Sequence, residues 1–409
     1  MNLDLLDPAL YQGDPHPTFA WLRQHEPVCW DARHGVWLVT KYADVAYVSK
    51  NHEIFCSGQG IRPNSNRKAG LITMDEPRHS EMRRLVNRGF TPRMVSRLEP
   101  HMREIVTECI DGVAALGACD FVPTLAVPLP MLVIAELLGV RTEDRERFRV
   151  WSDAIAAQDG QPDGSVPVLE AQQAVAEYAA YLTDIIEDRR RNPCDDLISV
   201  LTHAFDEGRL SADLTQMASG EADYTQMAND ELLGMLVLLL AAGNETTRNA
   251  LSGGILALSQ HVAEYDKLRA HPELLPSAIE EILRWSTPVI NFRRTATRDT
   301  ELGGQRIREG DQVVIFYSSA NRDEDVFADA DRFRIERSPN EHLAFGIGNH
   351  FCLGANLARL EMRVMFEELL RRVPDIRLAP GATPVYTHSA VLRSVESLPV
   401  VFTPERQAA

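Results

Sequence analysis

A chain of 409 residues with 44% hydrophobic side chains can bury a large core, so it reads as globular rather than fibrous or disordered. Its formal charge of -17 excludes a general affinity for nucleic acid or anionic lipid, since both need an excess of Lys and Arg to displace counterions. The acidic start MNLDLLDPALYQGDPHP has neither the basic end nor the long apolar run of a secretory signal or membrane anchor, which predicts a cytoplasmic protein.

Over residues 36–60, the β-branched and aromatic residues of VWLVTKYADVAYVS predict short strands followed by a helix. From about 78 to 285 apolar residues recur at three- and four-residue spacing, which predicts an α-rich part. Its longest apolar run, MLVLLLAA at 235–242, is far too short to span a membrane and predicts a buried helix. The Gly-, Asp- and Ser-rich stretches 158–167 and 206–226 are expected to be mobile. Between 288 and 335 the pattern turns to strands around Gly303-Gly304. The helical period returns over 353–372, with Leu353, Leu357, Leu360 and Val364 on one face, and VLRSVESLPVVFT ends the chain as strand. The expected architecture is mainly α with a smaller β region, in one domain over 1–409. Six scattered cysteines without a CxxC pair predict free thiols in a reducing compartment and exclude the common zinc-ribbon spacings.

One stretch carries chemistry. FGIGNHFCLG, residues 345–354, sets a single cysteine among three glycines, two phenylalanines and a histidine. A lone cysteine in such a loop is commonly buried filler. As a ligand it must be completed from elsewhere, because zinc and iron–sulfur sites take several protein ligands. Haem supplies four positions itself, and one axial thiolate favours O–O cleavage. The whole ten-residue pattern resembles the signature of the haem-thiolate cytochrome P450 monooxygenases, Phe-Gly-x-Gly-x-His/Arg-x-Cys-x-Gly. The resemblance implies a triangular prism of helices around a buried haem b. It makes Cys352 the metal ligand, with backbone N–H groups of the loop at Gly346 and Gly348 pointing at the sulfur. Phe345 and Phe351 would exclude water, and Gly354 would let the next helix approach the porphyrin.

Four further segments extend the resemblance from about residue 35 to the end. Glu281 and Arg284 in SAIEEILRW match the family's ExxR pair. Glu81/Arg84, Glu146/Arg149, Glu187/Arg190 and Glu368/Arg371 share that spacing, and such pairs are commonly solvated; only Glu281/Arg284 precedes the cysteine by the family's interval. Arg332 is expected as third member of this structural network. In AAGNETTRNA, residues 241–250, Glu245 takes the acid position and Thr246 the alcohol position of the proton-delivery pair, while Ala242 lies against the porphyrin. His79, Arg83, Arg294 and His350 are the cations expected at the two propionates. The positions facing the substrate, Ile72, Met235, Leu238, Ala241, Val289, Ile290, Phe292, Val391 and Leu392, are apolar, which favours a hydrophobic molecule held by shape.

The resemblance implies a monooxygenase that uses O2. No GxGxxG fingerprint or iron–sulfur cysteine cluster is present, so electrons must come from separate proteins, a ferredoxin and an NAD(P)H-dependent ferredoxin reductase. The expected docking cations are Arg84, Arg88, Arg93, Arg359 and Arg363, on a monomer. AGNETTRN is similar to the matching stretch of actinobacterial sterol and branched-lipid hydroxylases, so a sterol, terpenoid or fatty-acyl substrate is expected, with a macrolide as the alternative. A peroxygenase is disfavoured by the Glu245–Thr246 pair; a non-catalytic haem-thiolate sensor is the rival from another class.

Overall fold

The computed structural model of the chain describes residues 4–63, 65–66, 68–157, 165–194, 196–206 and 224–405. The stretches 158–167 and 206–226 fall for the most part outside them. A five-stranded sheet runs in the order Val28–Asp31, Val36–Val39, Gln312–Phe316, Asn291–Ala296, Phe55–Cys56. Val36–Val39 pairs in parallel with Gln312–Phe316, and the remaining pairs are antiparallel. The period of two in QVVIF feeds two cores. Val313 and Ile315 pack with Val39, Val45, Val48 and Phe55 on one face, while Val314 and Phe316 pack with Phe19, Leu22 and Leu38 on the other. Ile290 joins this second cluster, fully buried. It therefore does not face a substrate pocket, contrary to expectation.

The main core is helical, built around the long helix Tyr224–Gln260. Helices Pro128–Leu137, Leu275–Ser286 and Ala355–Arg372 pack against it. Glycine allows the crossing to be close: a Cβ at Gly254 would lie 2.6 Å from the Phe366 ring and 3.0 Å from Ile282. Such packing rather than helix propensity fixes the position of residues 241–247.

Two β assignments differ from expectation. Ala118–Asp120, within the α-rich part, is a strand paired with Pro399–Val401. Conversely, strands stop at Phe316, and 317–335 is a short helix followed by turns. The backbone carbonyls of Asn321, Ala330 and Arg332 there accept from the buried Arg284 guanidinium instead of from a neighbouring strand.

Candidate active site

The cysteine loop bends at Gly346 (φ +67°) and Gly348 (φ +81°), both in the left-handed region that favours glycine. At Gly348 a side chain would also strike the Ser49 carbonyl, 2.6 Å from its Cβ position. The loop is thus pressed onto the end of the helix Tyr42–Lys50. The Cys352 amide donates to the Phe345 carbonyl at 2.9 Å, closing the loop on itself. Burial pushes the Cys352 thiol up, opposed by the Gly354 backbone N–H and by Arg83 and Arg359. The amide at the sulfur is therefore that of Gly354, the cap of helix Ala355–Arg372, rather than one from Gly346 or Gly348.

Around this loop the fold gathers four groups from three parts of the chain. The His79 and His350 rings lie 4.2 Å apart. His79 is buried, its Nδ1 3.3 Å from Glu76 and its Nε2 without any partner. Arg83 donates to the Phe351 carbonyl, and the buried Arg294 donates to the Arg293 carbonyl at 2.9 Å and contacts the Tyr317 hydroxyl. Neither arginine has a carboxylate partner among the described residues. Burial first, then Arg294, His79, Arg83 and His52, push His350 down to about 2. A cluster that resists another positive charge and holds two arginines without carboxylate partners is matched to an anionic group, and haem's propionates fit it.

The long helix carries the remaining expected groups. Ala242 is exposed in mid-helix, and Leu238, Ala241 and Thr246 are half-buried. The Thr246 hydroxyl donates to the Ala242 carbonyl at 2.8 Å. Glu245 is 6% exposed and paired with Arg248 at 2.5 Å, one turn on. The segment Gly70–Thr73, bearing Ile72, meets this helix where a Cβ on Gly70 would lie 3.0 Å from the Gly234 carbonyl. Val289 bridges to Leu392, and both, like Phe292, are half-buried. Val391 is nearly closed off, and Met235, 1% exposed, is a core residue rather than a lining one.

The structural network is built differently at one member. Glu281 and Arg284, both fully buried, form two contacts of 2.8 Å. The third member is Arg337, whose Nε reaches Glu281 at 3.0 Å while its Nη groups cap the carbonyls of Ala328, Asp329 and Arg332. Arg332 itself is exposed and offers only its carbonyl. Of the expected docking cations, Arg359 is bound bidentately by Glu280 and stacks over Phe345, and Arg363 is paired with Glu99. Arg84, Arg88 and Arg93 are exposed and have no carboxylate partner among the described residues.

Sequence reading missed Glu361. It is 2% exposed, contacts the Thr247 hydroxyl, and its carboxyl is pushed up to about 8 by burial. A carboxylate on the stripe of Leu357, Leu360 and Val364 was the available signal.

A half-buried cysteine in a glycine-bent loop beside a cluster of cations, with a long helix that carries an alcohol and an acid, defines a class of protein. The cytochrome P450 profile matches residues 9–374, and the chain belongs to the cytochrome P450 family. It is 40% identical over 404 residues to the steroid C26-monooxygenase of Mycolicibacterium smegmatis, covering 98% of this chain and 96% of the relative. It is 38% identical to the methyl-branched lipid omega-hydroxylase of Mycobacterium tuberculosis, over 94% and 90% of the two chains. Among solved structures, the corticosterone complex of CYP109E1 from Bacillus megaterium matches with a TM-score of 0.84 at 36% identity, covering 95% and 98%. The Mycobacterium marinum cytochrome P450 CYP268A2 with pseudoionone matches at 0.86 and 34%, covering 98% and 99%. The chain is a haem-containing monooxygenase. No helix among the described residues is long and apolar enough to cross a membrane.

Proposed function

We propose that Cys352 is the axial ligand of haem b, that His79, Arg83, Arg294 and His350 hold its propionates, and that the reaction hydroxylates a sterol, a branched fatty-acyl chain or a linear terpenoid. The observation that carries the reading is the pair of arginines, Arg83 and Arg294, with His79 Nε2 orphaned beside the cysteine loop. Haem bound by a thiolate supplies the oxygen-activating chemistry. The protein's own groups do the rest. Phe345 and Phe351, in edge contact with each other, would exclude water from the sulfur, and the Gly354 N–H lowers the charge on it. The Thr246 hydroxyl, parked on the Ala242 carbonyl, is the positioned proton donor facing the cleft. Glu245, held by Arg248 one turn on, resupplies it.

Substrate class rests on the lining and the relatives together. Ile72, Leu238, Ala241, Val289, Phe292 and Leu392 offer apolar surface without a charge, so a substrate is oriented by shape. The relatives named for steroid and branched-lipid oxidation, and the corticosterone and pseudoionone complexes, support that class. Electrons come from a ferredoxin and its NAD(P)H-dependent reductase, docking on Arg84, Arg88 and Arg93. Six free thiols fit the cytoplasm.

Spectral titration of the holoenzyme with cholest-4-en-3-one, a branched fatty acid, pseudoionone and a macrolide tests the class. The expected result is a high-spin shift with at least one of the first three. A shift with the macrolide alone overturns the lipid assignment.

A further inference from the structure

A cavity of 510 Å³ is lined by none of the residues of the cysteine loop, the cation cluster beside it or the apolar positions named above. It opens between the N-terminal helix His16–His25, the last turns of the long helix and the C-terminal strands. Its most unusual wall is Arg322, 5% exposed, whose guanidinium lies 3.3 Å from the centroid of the Trp285 ring. Trp285 is backed on another edge by His261. The Arg322 Nε has no partner, one Nη reaches the Trp285 carbonyl at a long 3.4 Å, and the nearest carboxylate, Asp331, is 3.9 Å away and mostly in solvent. Burial and the neighbouring Arg284 push Arg322 down to about 9.

A second cation is fixed nearby. Arg393 donates to the carbonyls of Tyr11 and Gly13 and stacks over Tyr386. His16 leaves its Nδ1 without a partner and, through burial and then Arg322 and Arg393, is held far below its usual pKa, hence neutral. Leu256, Ala257 and Val395 supply apolar wall, and Asp14 and Asp331 stand exposed on the rim. A buried cation short of hydrogen bonds, lying against an aromatic ring at the side of a cavity with one apolar wall, is complementary to a planar anion with an apolar body.

We propose that this cavity is a second ligand site, separate from the haem cleft, for a small monocarboxylate with a compact apolar or aromatic body. The carboxylate sits on Arg322 with His16 as an added donor, and the body lies along Leu256, Ala257 and Val395.

Calorimetric titration of the holoenzyme with 3-phenylpropionate tests it, with a haem-coordinating azole in excess so that the Cys352 cleft cannot take up the probe. One saturable site per chain is expected. Arg322→Gln should weaken it about tenfold or more, the worth of a lost charge-assisted pair. Ala20→Phe, which fills the cavity from the half-buried face of the N-terminal helix, should remove the heat without touching Arg322. Neither variant should move the spin-state titration by substrate, so failure of this site and failure of the haem-cleft reading are read separately. Absence of saturable heat, heat unchanged in either variant, or equal affinity for 3-phenylpropylamine overturns the proposal.

Discussion

Replacing Glu361 by Gln should make the protein more stable as pH rises. In the folded chain the Glu361 carboxyl is pushed up from 4.5 to about 8 by burial, with the Thr247 hydroxyl opposing. A carboxyl whose folded pKa is raised contributes fully only below its unfolded pKa. That contribution is lost as pH climbs from about 4.5 to 8, because the unfolded chain ionises freely while the folded one must hold the proton. At 1.36 kcal/mol per pKa unit, the penalty is about 1 kcal/mol at pH 5, about 3 at pH 7 and about 5 by pH 9. Glutamine keeps the shape and can still hydrogen-bond Thr247, but carries no titratable proton. Urea melts of both holoenzymes, followed by far-ultraviolet dichroism from pH 5 to 9, read the difference in stability at each pH. The absolute offset at one pH also contains repacking, so the slope is the test. The variant should gain about 4 kcal/mol relative to the parent across that range. A flat difference would show that Glu361 ionises normally in the folded chain.

Other outcomes follow from the site. Arg337→Ala should destabilise by about 3–5 kcal/mol, the cost of breaking a buried ion pair, whereas Arg332→Ala should stay within about 0.5 kcal/mol; chemical melts at fixed pH check both. In Thr246→Ala, loss of a positioned proton donor should cut product formation by a factor of about 10² to 10⁴ while NAD(P)H is still consumed and hydrogen peroxide appears. Unchanged coupling in both Thr246→Ala and Glu245→Gln would remove the pair from the mechanism. Charge reversal at Arg84, Arg88 and Arg93 should slow reduction by ferredoxin and flatten its dependence on ionic strength, measured by stopped flow. The same change at Arg359 should instead lower stability, since that guanidinium is already bound to Glu280.

Residues that act through local pattern were legible. FGIGNHFCLG, the 235–242 run and the alternation in QVVIF each fix their element and face within a few positions of the chain. What stayed hidden depends on distant packing. Nothing near ERSPN marks Arg337 over Arg332 as the partner of Glu281, because the choice is made by which side chain the 317–335 turns carry inward. Ile290 and Val289 are adjacent, and sequence alone cannot say which face of the Asn291–Ala296 strand looks onto the cleft. Ala118–Asp120 is strand only because the last residues of the chain return to pair with it.

The parallel pairing of Val36–Val39 with Gln312–Phe316 has a bearing on biosynthesis. An early strand must wait, unpaired on one side, until most of the polypeptide has left the ribosome. Its partner emerges shortly before the cysteine loop, which then leans through Gly348 on Ser49, again from the first part of the chain. Completion of the sheet and assembly of the prosthetic-group pocket are therefore late, nearly simultaneous events. Until then the nascent chain exposes a β-branched edge open to misassociation.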